Sequence, residues 1–199
     1  MPKLILPNEN ELNNVEGILA LDEGRHLAYC ASIVPKDQNI VEIGGLKGKA
    51  TCFCGMGSFY GNRARVYSLD PWDLHYGEIG KTYHSEFQEN VKQFELESIV
   101  TSIVGYSYEV VKNWNAPIGL LFIDGDHYYD SVRKDYELWA PFIAEGGWIA
   151  FHDINDIWPD VKRVIDEMII PSDLWSHKMV LPTDYGFFMA RRNHVPFHR

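Results

Sequence analysis

Paired cysteines are absent from this chain. Its three, Cys30, Cys52 and Cys54, are odd in number and follow no regular spacing, which excludes a disulfide scaffold and points to the reducing cytoplasm. Cys52 and Cys54 form a C-x-C with no second pair, so buried free thiols on the first turns of a helix are favoured for these two over a zinc site. Basic charge is also short: 18 Lys and Arg against 28 Asp and Glu give a net charge of -10. No stripe remains to follow a phosphate backbone, so a nucleic-acid partner is not expected. The small cluster of Arg191, Arg192 and Arg199 reads as a solvated tail. No apolar run approaches the roughly 20 residues that span a bilayer, and the first 30 residues lack a signal core, so no membrane partner is expected. Internal repeats, low-complexity stretches and a G-x-G-x-x-G dinucleotide turn are missing as well.

What the chain does have is enough apolar residue, 46% of 199, for a single domain with a sizeable core. Residues 9–34 carry helical spacing around a break near Asp22-Glu23-Gly24. Strands are then expected at 39–43, 66–70, 100–104, 120–123 and 148–151, with helices between them from about Gly48 to Phe53, Ser85 to Phe94, Glu109 to Trp114 and Ser131 to Ile143. Residues 72–84 lack periodicity and read as a surface loop able to cover a ligand. That alternation predicts a doubly wound, mostly parallel sheet, because each parallel crossover needs a helix to return the chain. After a helix over 161–168, two strands at 177–181 and 185–190 lie too close in sequence to pair other than as an antiparallel hairpin. The prediction is an α/β fold with a seven-stranded sheet.

Leu120-Leu121-Phe122-Ile123 and Trp148-Ile149-Ala150-Phe151 have no polar alternation and read as central strands. Ligands on such sheets bind beyond the carboxyl ends of the strands, where Asp124, Asp126 and His127 follow one strand and His152 and Asp153 the other. Two carboxylates and an imidazole at Asp124, His152 and Asp153 suit a divalent ion, with water and a substrate hydroxyl completing the shell. The metal-free alternative is that these side chains position substrate.

The first strand closes in E-I-G-G-L-K-G, whose Gly44, Gly45 and Gly48 allow a sharp turn and close approach to a ligand. Asp70 ends the second strand where an acid can accept both hydroxyls of a ribose. A dinucleotide would need its pyrophosphate at the helix start, and Glu42 beside the turn disfavours phosphate while suiting an ammonium. S-adenosylmethionine, with an amino group and no phosphate, fits both features. Glu42 holding local groups is the alternative.

Through VEIGGLKGKAT, VYSLDPW, VGYSYEVV, FIDGDHYYDSVRKDYELW and GGWIAFHD, the chain resembles class I S-adenosylmethionine-dependent methyltransferases, in the subgroup of macrocin and sugar O-methyltransferases and cephalosporin-hydroxylase-like proteins. The resemblance runs from the leading helices to the final strand. It implies a Rossmann-like methyltransferase fold, cofactor contacts at Glu42, Gly44, Gly45, Asp70 and Ser107, and a general base at Asp126, with His127 as competitor. Metal-binding members carry two adjacent acids where this chain has His152-Asp153, a departure that favours Mn²⁺ or another transition ion alongside Mg²⁺. Asp130 and Asp135 are expected as cap or surface residues, and Trp72 as a core or lid residue or a stacking face for adenine.

The expected activity is metal-assisted O-methylation of a sugar or phenolic hydroxyl on a small molecule. A non-haem iron oxygenase using His127, His152 and an Asp, or a non-catalytic nucleoside-binding protein, are the alternatives; an NAD-linked oxidoreductase is disfavoured by the glycine spacing. A homo-oligomer is compatible with the composition.

Overall fold

In a computed structural model of the chain, residues 4–194 are described; Arg199 lies outside them. Two leading helices, α1 (Glu9–Asn14) and α2 (Leu21–Ile33), precede a regular alternation. It comprises β1 (Asn39–Ile43), α3 (Lys49–Tyr60), β2 (Arg65–Asp70), α4 (Asp73–Tyr76), α5 (Glu78–Gln93), β3 (Val100–Val104), α6 (Ser107–Val110), β4 (Ile118–Ile123), α7 (Tyr129–Trp139) and β5 (Ile143–His152). The chain then runs through α8 (Pro159–Val164), which loosens into a π turn over Ile165–Ile169, into β6 (Trp175–Leu181) and β7 (Phe187–Arg192).

The strands form one seven-stranded sheet in the order β3-β2-β1-β4-β5-β7-β6, parallel except for β7, which lies antiparallel between β5 and β6. The order reverses beside β1, so a crevice opens where β1 and β4 end, the expected ligand position on a doubly wound sheet. Successive side chains alternate between two cores. Ile40, Leu120, Phe122 and Phe187 pack with Leu27, Phe53 and Phe87 on one face. Val41, Leu121, Ile123, Phe151 and Phe188 pack with Trp139, Val161 and Val164 on the other.

Several boundaries differ from those expected. The break in the leading helices falls over 15–20, and Asp22-Glu23-Gly24 is instead the first turn of α2, with Glu23 buried. Helix α3 continues to Tyr60 because it is buried nearly all round; Gly57 lets it lie directly against the backbone of Ala28 in α2. The expected loop over 72–84 is helical, as α4 and the start of α5. Arg191 and Arg192 are not a loose tail but the end of β7, where Arg192 donates to the carbonyls of Ala140 and Ile143. The three cysteines are free and buried. No helix among the described residues is long and apolar enough to cross a membrane.

Candidate functional site

Four adjacent strands deliver the site. β2 ends in Asp70, β1 runs into Gly44, β4 into Asp124, and β5 ends in His152 followed by Asp153. Gly44 has φ 98, and a Cβ on it would collide with the carbonyl oxygen of Asp124, so the two strand ends touch only because this residue is glycine. Three non-glycine residues in these turns also take positive φ: Leu46 (41), Trp72 (34) and Asp153 (57). Such conformations cost energy and persist where the surroundings enforce them, commonly at functional sites.

On the β1–β2 side, Glu42 is turned into the protein and buried. Its Oε2 accepts the hydroxyls of Thr51, at the start of α3, and of Ser68 on β2, the latter at 2.6 Å. Burial pushes its carboxyl up to about 7, against the pull of those two donors. Asp70 accepts the backbone N–H groups of Leu46 (2.9 Å) and Trp72 (2.8 Å), which fold the two loops around it. Burial raises its pKa, partly offset by these donors. Trp72 is fully buried, donates its indole N–H to Leu46 O at 2.7 Å and stacks on His84 at 4.3 Å, so it forms the floor of the glycine turn. Ser107 opens α6 and donates to Asp135 of α7. Asp135 is therefore neither cap nor surface: it is buried, and burial lifts its carboxyl to about 6.

On the β4–β5 side, Asp124, His152 and Asp153 bring one ligand atom each within 4.8 Å of one another. His152 Nδ1 stands 3.3 Å from Asp124 Oδ1 and 3.1 Å from Asp153 Oδ2, yet no acceptor lies in line with it for a hydrogen bond. On the other side of the ring, Nε2 faces Glu23 Oε2 at 3.1 Å. With a cation at Nδ1 the imidazole would be neutral with one N–H, on Nε2, where Glu23 accepts it. Nδ1 and two carboxylate oxygens are then three electron-rich atoms converging on one point, a donor set that fits a divalent cation. Without a cation the ring supplies the positive charge itself: burial opposes its protonation, but the surrounding carboxylates outweigh it and raise His152 to about 12. Burial tends to raise Asp153 as well, but His127 and His152 hold it well below the usual carboxylate range, while burial dominates and raises Asp124.

His127 and Asp126 stand at the rim. Asp126 accepts His127 N–H at 2.8 Å and Ser131 Oγ at 2.6 Å, which ties the turn to the first residues of α7. His127 Nε2 lies 2.9 Å from Asp153 Oδ2, and its ring stacks on Trp158 at 4.5 Å. All ten residues singled out from the sequence lie at or just beyond the carboxyl ends of the strands. Glu23, Thr51 and Ser68 were missed, although Glu23 and Ser68 left a signal. Glu23 lies one turn before Leu27 on the buried stripe of α2, and Ser68 interrupts an otherwise apolar strand interior.

A family model described as a methyltransferase domain matches residues 41–154, from β1 through the β5 terminus. The chain belongs to this methyltransferase family. Its fold is similar to that of the O-methyltransferase from Bacillus cereus in complex with SAH, with a TM-score of 0.73 and 18% identity over 94% of this chain and 90% of that one. It is likewise similar to the O-methyltransferase TomG from Streptomyces achromogenes in complex with SAM, with a TM-score of 0.70, 13% identity, and 94% and 86% of the two chains covered. By sequence, 90 residues are 32% identical to the uncharacterized protein R132 of Acanthamoeba polyphaga mimivirus, taking in 41% of each. The chain spans less than half the length of the curated relatives it matches.

Proposed function

We propose that this chain transfers the methyl group of S-adenosylmethionine to a hydroxyl oxygen of a small molecule, a sugar or a phenol, assisted by Mg²⁺ or Mn²⁺. The observation that carries the proposal is the contact between two half-sites at Gly44 and Asp124: a glycine turn with a carboxylate at the next strand end, and a cation-binding cluster beside it. The SAH and SAM held by fold neighbours support the choice of cofactor.

In this mechanism Gly44 and Gly45 let the backbone approach the cofactor, Asp70 takes the ribose hydroxyls with its remaining lone pairs, and Ser107 closes the adenine side. Glu42 fixes the floor through Thr51 and Ser68. Asp124, His152 and Asp153 would hold the cation, which when bound makes an acceptor hydroxyl more acidic and orients it. The hydroxyl oxygen attacks the sulfonium methyl in line, the methyl–sulfur bond breaks, and S-adenosylhomocysteine leaves with the bonding pair. His127 receives the hydroxyl proton: Asp153 holds its Nε2, so Nδ1 of the neutral ring carries the lone pair. Asp126, with both oxygens engaged, holds the turn. The free buried thiols fit a cytoplasmic setting.

Calorimetric titration with S-adenosylmethionine tests the proposal, followed by turnover of sugar and phenol acceptors with Mg²⁺ or Mn²⁺ and again in excess chelator. One saturable site and chelator-sensitive turnover are expected. No heat and no thermal stabilisation would sink it; binding without turnover on any acceptor would leave a non-catalytic nucleoside-binding protein.

A further inference from the structure

Glu23 is a carboxylate in a position built for a core residue. It lies one turn before Leu27 and two before Ala31 on the buried stripe of α2 and is fully buried itself. A carboxylate withdrawn from water costs several kcal/mol unless its lone pairs are answered. Here they are answered by one local group and by groups from two distant segments. Oε2 accepts Ala20 N–H at 2.7 Å, at the start of α2, and faces His152 Nε2 at 3.1 Å, at the end of β5. Oε1 accepts the hydroxyl of Thr183 in the β6–β7 link, and Thr183 in turn accepts Gly186 N–H at 3.1 Å. Closing a helix start needs only the Ala20 contact; nothing local requires the reach to His152, 129 residues away.

The neighbouring aromatic rings give the His152 nitrogens no hydrogen-bond partner through their faces. Phe122 stands at 6.4 Å and Tyr185 at 6.0 Å between ring centroids. Glu23 is thus the polar group on the Nε2 side, while Asp124 and Asp153 are the polar groups on the Nδ1 side. A carboxylate that accepts the distal N–H of a ligating histidine fixes the tautomer and ring orientation and makes the ligand nitrogen more basic.

We infer that Glu23 is a positioning residue for the cation half-site: its bond to Nε2–H sets the rotation and tautomer of His152, so that Nδ1 is the atom offered between Asp124 and Asp153. The inference rests on the cation site proposed above. It also gives the leading helix a function, since α2 lies before the matched family region of 41–154 and yet supplies the group that orients a residue at that region's far end.

The test compares the wild-type protein with Glu23→Gln, which keeps the size and removes the charge, and with Thr183→Val, which removes the hydroxyl on the opposite oxygen. Long-range ¹H–¹⁵N spectra of histidine-labelled protein report the protonation of both ring nitrogens of His152, expected on both without metal and on Nε2 alone with Mg²⁺ bound, with assignment by His152→Gln. Mn²⁺ affinity is read independently by water-proton relaxation. Glu23→Gln is expected to change the His152 nitrogen shifts and to weaken Mn²⁺ binding by about 10- to 100-fold. A folded Glu23→Gln protein with unchanged His152 shifts and Mn²⁺ affinity within twofold of wild type overturns the inference. Changed shifts in a wild-type background that binds no Mn²⁺ would remove the cation site and leave the positioning role standing; unchanged shifts there would remove both. If Glu23→Gln does not fold, Thr183→Val decides on the same two readouts.

Discussion

The buried carboxyl of Glu42 makes the stability of the fold depend on pH. Burial raises it from an ordinary value of 4.5 to about 7, despite the hydroxyls of Thr51 and Ser68 on Oε2. Between those two values the folded protein keeps a proton that the unfolded chain has released. A group raised in the folded state contributes stability that is present in full below the unfolded pKa and is lost as pH rises through the folded pKa. Every pH step of one between the two values is worth about 1.4 kcal/mol, so the wild-type protein should lose about 3 kcal/mol between pH 4.5 and 7 from this residue alone, with little further change above. Glu42→Gln removes the titration and leaves a carbonyl oxygen where Oε2 accepts its two hydroxyls. Urea unfolding of both proteins from about pH 4.5 to 8.5, without cofactor or metal, isolates the effect, because other groups titrate alike in the two and cancel in the difference. The stability of the wild type relative to Glu42→Gln should fall across that window and then flatten. Parallel profiles would refute the reasoning and mean that Glu42 is ionised throughout, with Thr51 and Ser68 sufficient to carry the charge.

Gly44→Ala should cost several kcal/mol by urea unfolding and abolish measurable S-adenosylmethionine binding, since the added Cβ meets the carbonyl of Asp124 at a φ of 98; a stable variant with wild-type affinity would show that the two strand ends can part without harm. Asp126→Ala should lose about 1 kcal/mol of stability, as for a lost helix-start acceptor, and keep most of its turnover. His127→Ala should lose about 10²-fold or more in single-turnover rate, and a larger loss in Asp126→Ala than in His127→Ala would reverse the two roles.

The sheet was legible because its central strands are unbroken apolar runs, and the strand ends were legible because each passes abruptly into glycine, acid or histidine. The second half of α5, over 85–93, was legible too, but the helical stretch over 73–84 was not. Over 73–84 only Gly80 is buried, too little to show a period, and Gly77 with its neighbouring His and Tyr residues imitates loop composition. The length of α3 was hidden for the opposite reason: a helix buried nearly all round has no polar face to mark its turns, and Gly55 and Gly57 look like breakers when they are packing contacts. Within the site, Asp70, Asp124, His152 and Asp153 were read from their places at strand ends, and Ser107 from the family resemblance. Those that support it from behind, Glu23, Thr51 and Ser68, lie on other elements, and their roles depend on contacts across 9 to 129 residues.

The placement of β7 between β5 and β6 has a consequence for synthesis. Everything in the glycine-turn half-site has left the ribosome by Asp135, whereas the strand that flanks His152 and the threonine that braces Glu23 emerge only near the end of the described chain. A growing polypeptide can therefore complete the proposed nucleoside half-site well before the Asp124, His152 and Asp153 cluster is walled in. Insertion of β7 joins the leading helices to the β6–β7 link and brings Thr183 onto Glu23 beside His152.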